Sequence, residues 1–153
     1  MDENIGNLKI DQLGYVYKDV EKQAKLLESQ FSLPKFAFFE NKDNLFKYRG
    51  KETTISTKIG ISRGFGRQIE LIQLLEGDCI FKEFIEAGQE GLHHFGIFVE
   101  DLDSLVEKYK NLGYKIVHEG QTWRQKVTYF DMTKPFGILI EFQQTLKKKR
   151  RKK

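Results

Sequence analysis

One pattern of eleven residues occurs twice in this chain. Residues 10–20 read Ile-Asp-Gln-Leu-Gly-Tyr-Val-Tyr-Lys-Asp-Val, and residues 92–102 read Leu-His-His-Phe-Gly-Ile-Phe-Val-Glu-Asp-Leu. Each copy starts on an apolar residue, carries a polar side chain third and Gly fifth, and reaches Asp tenth. The alternation predicts a strand, and the Asp is placed to cap the helix after it. A second pair closes each copy: Gln68-Ile69-Glu70-Leu71-Ile72-Gln73 and Leu139-Ile140-Glu141-Phe142-Gln143-Gln144 both read as strands with a carboxylate between apolar neighbours. Each half therefore offers a polar residue on its first strand, Gln12 or His94, and a carboxylate on its last, Glu70 or Glu141. Two like halves that each present two ligand-type side chains point to a site where the halves meet.

The segments between the motifs repeat in the same order. After Asp19, apolar residues Val20, Ala24, Leu27 and Phe31 fall at helical spacing over residues 20–30. Residues 35–39 and 54–62 read as strands, and the polar segment 41–53 between them is too charged for a core. Gly64-Phe65-Gly66 reads as a hairpin turn, because a dinucleotide loop needs a third glycine and a helix directly after it. Residues 81–87 form a linking helix ended by Gly88. In the second half a strand over 92–99 leads to a helix from Asp101 to Leu112, with Leu102, Leu105, Val106 and Tyr109 facing the core and Gly113 stopping it. Strands follow over 114–117, 126–132 and 137–143. The fold class is α+β: two βαβββ halves, residues 8–75 and 90–145, in one domain over 8–145. From Gln12 to His94 is 82 residues and from Glu70 to Glu141 is 71, so the first half carries eleven extra residues, most simply within 41–53. Such insertions usually sit in surface loops and often carry substrate contacts.

Charge and cysteine content narrow the function classes. The seven residues 147–153 are all basic and account for the pI of about 9.0; the rest of the chain has 19 basic against 22 acidic residues, a net charge of −3. A basic terminus of this kind, residues 146–153, reads as a disordered tail that attracts polyanions nonspecifically, so no specific nucleic-acid partner is expected. No apolar run reaches the roughly 20 residues of a membrane span, and the N-terminus lacks a basic-then-apolar signal pattern. A soluble cytoplasmic protein is the expectation. Cys79, the single cysteine, has no cationic neighbour in sequence and reads as structural.

The paired units, with Glu70-Leu71-Ile72-Gln73-Leu74-Leu75-Glu76-Gly77-Asp78, then Glu90-Gly91-Leu92-His93-His94-Phe95-Gly96, then Gly137-Ile138-Leu139-Ile140-Glu141, resemble the vicinal oxygen chelate superfamily. That superfamily includes glyoxalase I, methylmalonyl-CoA epimerase, extradiol dioxygenases, and bleomycin and fosfomycin resistance proteins. The resemblance spans residues 8–145, is nearest the epimerase branch, and implies a glyoxalase-like domain. It also implies a metal site on the first and last strands of each half, made of Gln12, Glu70, His94 and Glu141. His94 is preferred to His93 because it matches Gln12 in the repeat, while its neighbour on a strand points to the other face. Gln12 stands where epimerase-like members usually carry His, and Gln, Glu, His and Glu is the set of the zinc form of glyoxalase I. The Asp-Pro-Asp-Gly stretch common in glyoxalases is replaced here by Lys134-Pro135-Phe136-Gly137.

One imidazole nitrogen and three oxygens, two of them anionic, suit a divalent ion such as Zn, Co, Ni or Mn. Such an ion would polarise a substrate carbonyl and stabilise the enolate left when the α-proton departs. Glu141 or Glu70 would be the base, with Glu52 a possible second acid/base on the opposite substrate face. The leading reading is a metal-dependent isomerase or lyase acting on a small molecule, an acyl-CoA first, resembling methylmalonyl-CoA epimerase. The alternatives are a glyoxalase I (lactoylglutathione lyase) acting on a hemithioacetal, and a metal-free binding module of the resistance type. An extradiol dioxygenase, with two histidines and one carboxylate on iron, fits less well. His118 is expected at the surface, and Trp123 either at the cavity mouth or packed. The resemblance further implies a homodimer, for which open sheet edges would provide the pairing.

Overall fold

The computed structural model describes residues 4–147, so the predicted tail lies outside the described residues from position 148 onward. The first half supplies β1 (Gln12–Val16), α1 (Val20–Phe31), β2 (Ala37–Tyr48), β3 (Lys51–Gly64) and β4 (Arg67–Glu76). Helix α2 (Ile80–Glu86) links it to β5 (Gly91–Phe98), α3 (Leu102–Asn111), β6 (Ile116–Gln121), β7 (Gln125–Phe130), the single turn α4 (Thr133–Phe136) and β8 (Leu139–Thr145). The fold is α+β with two βαβββ halves, and the strands close into a barrel in the order β1-β4-β3-β2-β6-β7-β8-β5. Within each half the first and last strands pair in parallel, β1 with β4 and β5 with β8. Two antiparallel seams, β1 with β5 and β2 with β6, join the halves. No helix among the described residues is long and apolar enough to cross a membrane.

Both repeat aspartates cap their helices. Asp19 Oδ1 accepts from the Lys22 amide at 3.1 Å, and Asp101 Oδ1 from the Ser104 amide at 3.1 Å. These bonds satisfy amides that the first helical turn leaves without partners. Helix α1 buries Val20 and Ala24 against Ile69 and Leu71, and α3 buries Leu102, Leu105 and Tyr109 against Ile140 and Phe142. The apolar residues flanking Glu70 and Glu141 thus face the helices, and strand alternation turns both carboxylates into the barrel. A third cluster fills part of that interior, with Ile55, Ile59, Ile72 and Val117 meeting Ile80 and Phe81 of α2. Cys79 is part of it and is buried, as its structural reading requires.

The eleven extra residues do not form a loop. They lengthen the β2–β3 hairpin, whose strands run 12 and 14 residues against 6 each in β6 and β7. A ladder is held by backbone groups, so charged residues are tolerated wherever alternate side chains reach water. Phe46 and Tyr48, in the same segment, pack on the interior cluster. At Gly64-Phe65-Gly66 the chain makes the expected hairpin turn, with φ of 55° at Phe65 and 72° at Gly66. Positive φ at both central residues marks a type I′ turn, which follows the twist of the flanking strands. The turn α4, absent from the predicted elements, starts where Asp131 Oδ1 accepts from the Thr133 amide at 3.0 Å.

Candidate active site

The repeat motif accounts for the centre of the site. Across the β1/β5 seam Gln12 pairs with Gly96 and Gly14 with His94, so the polar third residue of each copy lies over the fifth-position glycine of the other. A Cβ on Gly14 would sit 2.1 Å from His94 Cε1, and one on Gly96 would sit 2.6 Å from Gln12 Oε1. Each glycine is the floor on which the opposite side chain lies. The parallel pairs add the carboxylates, since Gly14 is also the register partner of Glu70 and Gly96 that of Glu141. Gln12, Glu70, His94 and Glu141 are thereby brought together at the barrel centre.

Hydrogen bonds tie the group into one network. Gln12 Nε2 donates to Gln68 Oε1 at 2.8 Å, and Gln143 Nε2 donates to Gln12 Oε1 at 2.9 Å and also to Glu141. The Tyr129 hydroxyl bonds Glu141 as well. His94 is fully buried, and its Nε2 stands 3.7 Å from Glu70 Oε1 with no hydrogen-bond partner. Burial holds the Glu141 carboxyl well above the usual carboxylate range, the Glu70 charge adds to this, and the Tyr129 bond opposes it. Burial raises Glu70 too, against a bond from Gln12. The His94 imidazole is pushed well below its ordinary value by burial and then by His93 and His118, which keeps it neutral.

Among the described residues no three His, Cys, Asp or Glu side chains already converge as a metal cluster, since Glu141 is turned to Gln143 and Tyr129. The donor chemistry nevertheless fits a divalent cation. A neutral buried imidazole has an unpartnered nitrogen beside a carboxylate, and a second buried carboxylate lies in the field of the first. The basic residues lining the cavity, Lys42 and Arg124, are solvent-exposed and compensate neither carboxylate. His94 Nδ1 meets His93 Nδ1 at 2.9 Å, and a backbone hydrogen bond from His93 to Ile80 favours the tautomer in which His94 Nδ1 donates. In that tautomer His94 Nε2 carries a free lone pair.

Two histidines differ from their sequence reading. His93 does not lie on the opposite face: it is the extra residue of a bulge in the β1/β5 ladder, packed against Phe81 and Phe84 with ring centroids 5.3 and 4.9 Å away. A bulge breaks strict alternation and re-aims a side chain. His118 is not at the surface but 1% exposed, because β6 is flanked by β2 and β7 and its inner face lines the barrel. Its ring stacks on Phe46 at 4.6 Å and meets Tyr129 edge-on at 5.4 Å.

The cavity holds about 780 Å³, with apolar walls from Ile55, Ile59, Ile61 and Ile72 over the polar floor. Trp123 lies at its rim, 77% exposed with the Arg124 guanidinium 5.1 Å from its ring, so the cavity-mouth reading holds. Glu52 is not brought to the other four. It is exposed, opposite Lys47 on the hairpin, and lines a separate groove with Asp78, Lys82 and Glu83. Sequence reasoning does not single out Gln68, Gln143 or Tyr129 among the polar groups of the cavity floor, and it places His118 at the surface. The two glutamines lie two positions from a carboxylate, so strand periodicity places them on its face; Tyr129 is the register partner of Glu141 across β7 and β8, and the burial of His118 depends on the β2/β6 seam.

Two βαβββ halves joined edge to edge, with an internal site drawn from their first and last strands, define a class of domain. A family model described as the Glyoxalase/Bleomycin resistance protein/Dioxygenase superfamily matches residues 11–130, and the chain belongs to that superfamily. Among solved structures, a hypothetical protein from Bacillus halodurans is 19% identical over 96% of this chain and 99% of its own, with a TM-score of 0.67. Methylmalonyl-CoA epimerase from Mycobacterium tuberculosis is 16% identical over 90% of this chain and 87% of its own, with a TM-score of 0.63. A variant of Streptomyces coelicolor methylmalonyl-CoA epimerase in complex with 2-nitronate-propionyl-CoA is 14% identical over 92% and 99%, with a TM-score of 0.68. At these identities the likeness is one of fold. No curated protein sequence matches the chain.

Proposed function

We propose that this protein is a metal-dependent isomerase or lyase that removes the proton α to a thioester carbonyl, with acyl-CoA as its substrate class. The observation that carries this reading is a pair of carboxylates on the cavity floor, one from each half, Glu141 buried and Glu70 half-buried, with the unpartnered Nε2 of His94 behind them beside Glu70. The shared fold with epimerases, one of them complexed with a CoA thioester analogue, supports it.

His94 Nε2, Glu70, Glu141 and Gln12 Oε1 would hold a divalent ion, Zn, Co, Ni or Mn. That ion supplies the positive charge that polarises the carbonyl and offsets the enolate oxygen. The chain's own groups do the rest. The isoleucine walls seat the acyl chain and exclude water, which strengthens every charge interaction within. Glu141 takes the α-proton, and its dry surroundings raise its proton affinity toward that needed for general-base work near neutral pH. The Tyr129 hydroxyl and Gln143 amide fix its orientation. Glu70, its counterpart in the other half, returns a proton to the second face, as inversion at carbon requires. Gln12 favours a second reading, the glyoxalase I type with a hemithioacetal substrate, because a carboxamide stands where epimerase-like chains carry imidazole.

Exchange of the substrate α-proton with solvent deuterium tests the assignment. Glu141→Gln keeps a ligating oxygen but loses basicity, and should slow exchange about a hundredfold or more while metal content holds. Parent-like exchange in that variant would shift the base to Glu70. A metal-loaded parent that exchanges neither an acyl-CoA nor a hemithioacetal would leave a ligand-binding module in place of an enzyme.

A further inference from the structure

The last strand delivers the chain to the mouth of the cavity. Gln125 pairs with Thr145 across β7 and β8, and one residue further on the Leu146 amide donates to the Arg124 carbonyl at 2.7 Å. Thr122, Trp123, Arg124 and Gln125 all line the cavity, and Trp123 and Arg124 are exposed at its rim. The seven residues that follow Leu146 are all basic. Fully extended, seven residues span roughly 25 Å at most, so these charges are tethered near Arg124 whatever path the segment takes. The rest of the chain carries a net charge of −3, and two carboxylates, Glu70 and Glu141, stand on the cavity floor. Lys42 and Arg124 are the basic residues of the lining, and Lys42 is drawn to Glu40 at 3.5 Å. An anionic ligand approaching such a body meets a field of its own sign. Seven cations held at the mouth reverse that field where the ligand must enter. Clustered charge at a cleft raises the local concentration and the capture rate of ligands of opposite charge.

We propose that the basic run 147–153, together with Arg124, forms a capture zone at the cavity mouth for small ligands that carry several phosphate groups. A small ligand is favoured over a nucleic-acid strand because the run is anchored beside a cavity of about 780 Å³ whose own walls are apolar, not beside a wider basic face. The zone acts on phosphates alone. It therefore goes beyond the thioester reading and holds whether or not any acyl group reacts on the floor below.

Trp123 is the single tryptophan, so the indole N–H signal of the full chain in NMR reports on the mouth directly. Three probes are titrated: inorganic tripolyphosphate, coenzyme A, and pantetheine, which is the carrier arm without its phosphates. At about 20 mM salt, where charges are felt over roughly 20 Å, coenzyme A should shift the Trp123 signal. A sevenfold variant with Ser at every position from 147 to 153 should bind it about tenfold or more weakly, and Arg124→Gln should weaken it by a smaller factor. At about 300 mM salt the parent and the sevenfold variant should agree within about twofold, and pantetheine should bind both alike at either salt. A response to tripolyphosphate as well extends the zone to free oligophosphates. A response to coenzyme A alone restricts it to phosphates delivered on an arm that seats in the cavity. Equal affinity of parent and variant for coenzyme A at low salt, no binding by the parent, or binding that leaves the Trp123 signal unmoved overturns the proposal. A short single-stranded oligonucleotide that displaces coenzyme A overturns it too, and gives the run to nucleic acid. No turnover is read, so a chain that exchanges no α-proton can still show the zone, and an active one can lack it.

Discussion

The contact between His94 and Gly14 makes a demanding prediction, because the two residues come from different halves. An ordinary carbon–carbon contact is about 3.5–4.0 Å, so the 2.1 Å between a Gly14 Cβ and His94 Cε1 would require roughly 1.5 Å of movement. The ring has nowhere to go, being fully buried between His93 and Tyr129. Overpacking of this kind costs about 1–3 kcal/mol, offset by the 0.4–1 kcal/mol or so that Gly→Ala returns by restricting the unfolded chain. Gly14→Ala should thus lower stability in urea by about 1–2 kcal/mol and weaken Co(II) binding, read from its visible absorption. In a His94→Ala background the ring is gone, and the same substitution should be neutral or slightly stabilising, a coupling of about 1–3 kcal/mol across the seam. Gly64→Ala is the control, since its Cβ would come no nearer than 3.4 Å to Leu33 and 3.5 Å to Ile69. Equal losses from Gly14→Ala with and without His94, or no loss in the parent, would refute the packing of the ring on the glycine.

Three further outcomes are expected. Purified protein should carry about one divalent ion per chain by elemental analysis, and His94→Ala should lose it; stoichiometric metal in that variant places the site elsewhere. With His118 pushed down to about 4, the unfolded chain takes up this proton first, so the contribution of His118 to stability is complete above about pH 6.5 and is lost as pH falls toward 4, at up to about 1.4 kcal/mol per unit. The raised Glu70 and Glu141 act in the opposite sense but cancel on subtraction, so the stability of the parent minus that of His118→Phe should fall along that slope as pH drops, and a pH-independent difference would contradict the burial of His118. Finally, β2 meets β6 only over Phe46–Tyr48, leaving residues 37–45 without a second strand neighbour among the described residues, with Phe39 and Leu45 exposed. Pairing along this edge should give a homodimer, and light scattering that reports the 18.0 kDa of one chain at micromolar concentration would count against it.

The duplication carried the fold into view because each of its signals is local: an alternating strand, an Asp at the tenth position, a carboxylate between apolar neighbours. Asp19 and Asp101 cap the predicted helices, and the metal-type residues lie on the predicted strands. What local pattern cannot express is which strands meet. Segment 41–53 reads as a loop because its charges are visible and its ladder partners, up to sixteen residues away along the hairpin, are not. His118 reads as a surface residue for the same reason: its burial comes from the seam with β2, made between residues some seventy positions apart. His93 was misplaced by a bulge, which period-two reasoning has no means to anticipate. The carboxylates were ambiguous until α1 and α3 claimed the opposite face of their strands.

The crossed pairing of Gln12 with Gly96 and His94 with Gly14 has a consequence for descent. Neither position three nor position five is free to vary within its own copy; each answers to the other copy. A side chain larger than glycine at 96 demands something smaller at 12, and likewise for 14 and 94. Related chains should therefore show compensating substitutions between distant halves, while the third and fifth residues of a single copy drift independently. The two copies, although fused and unequal in length, remain bound to a common inheritance at these four positions.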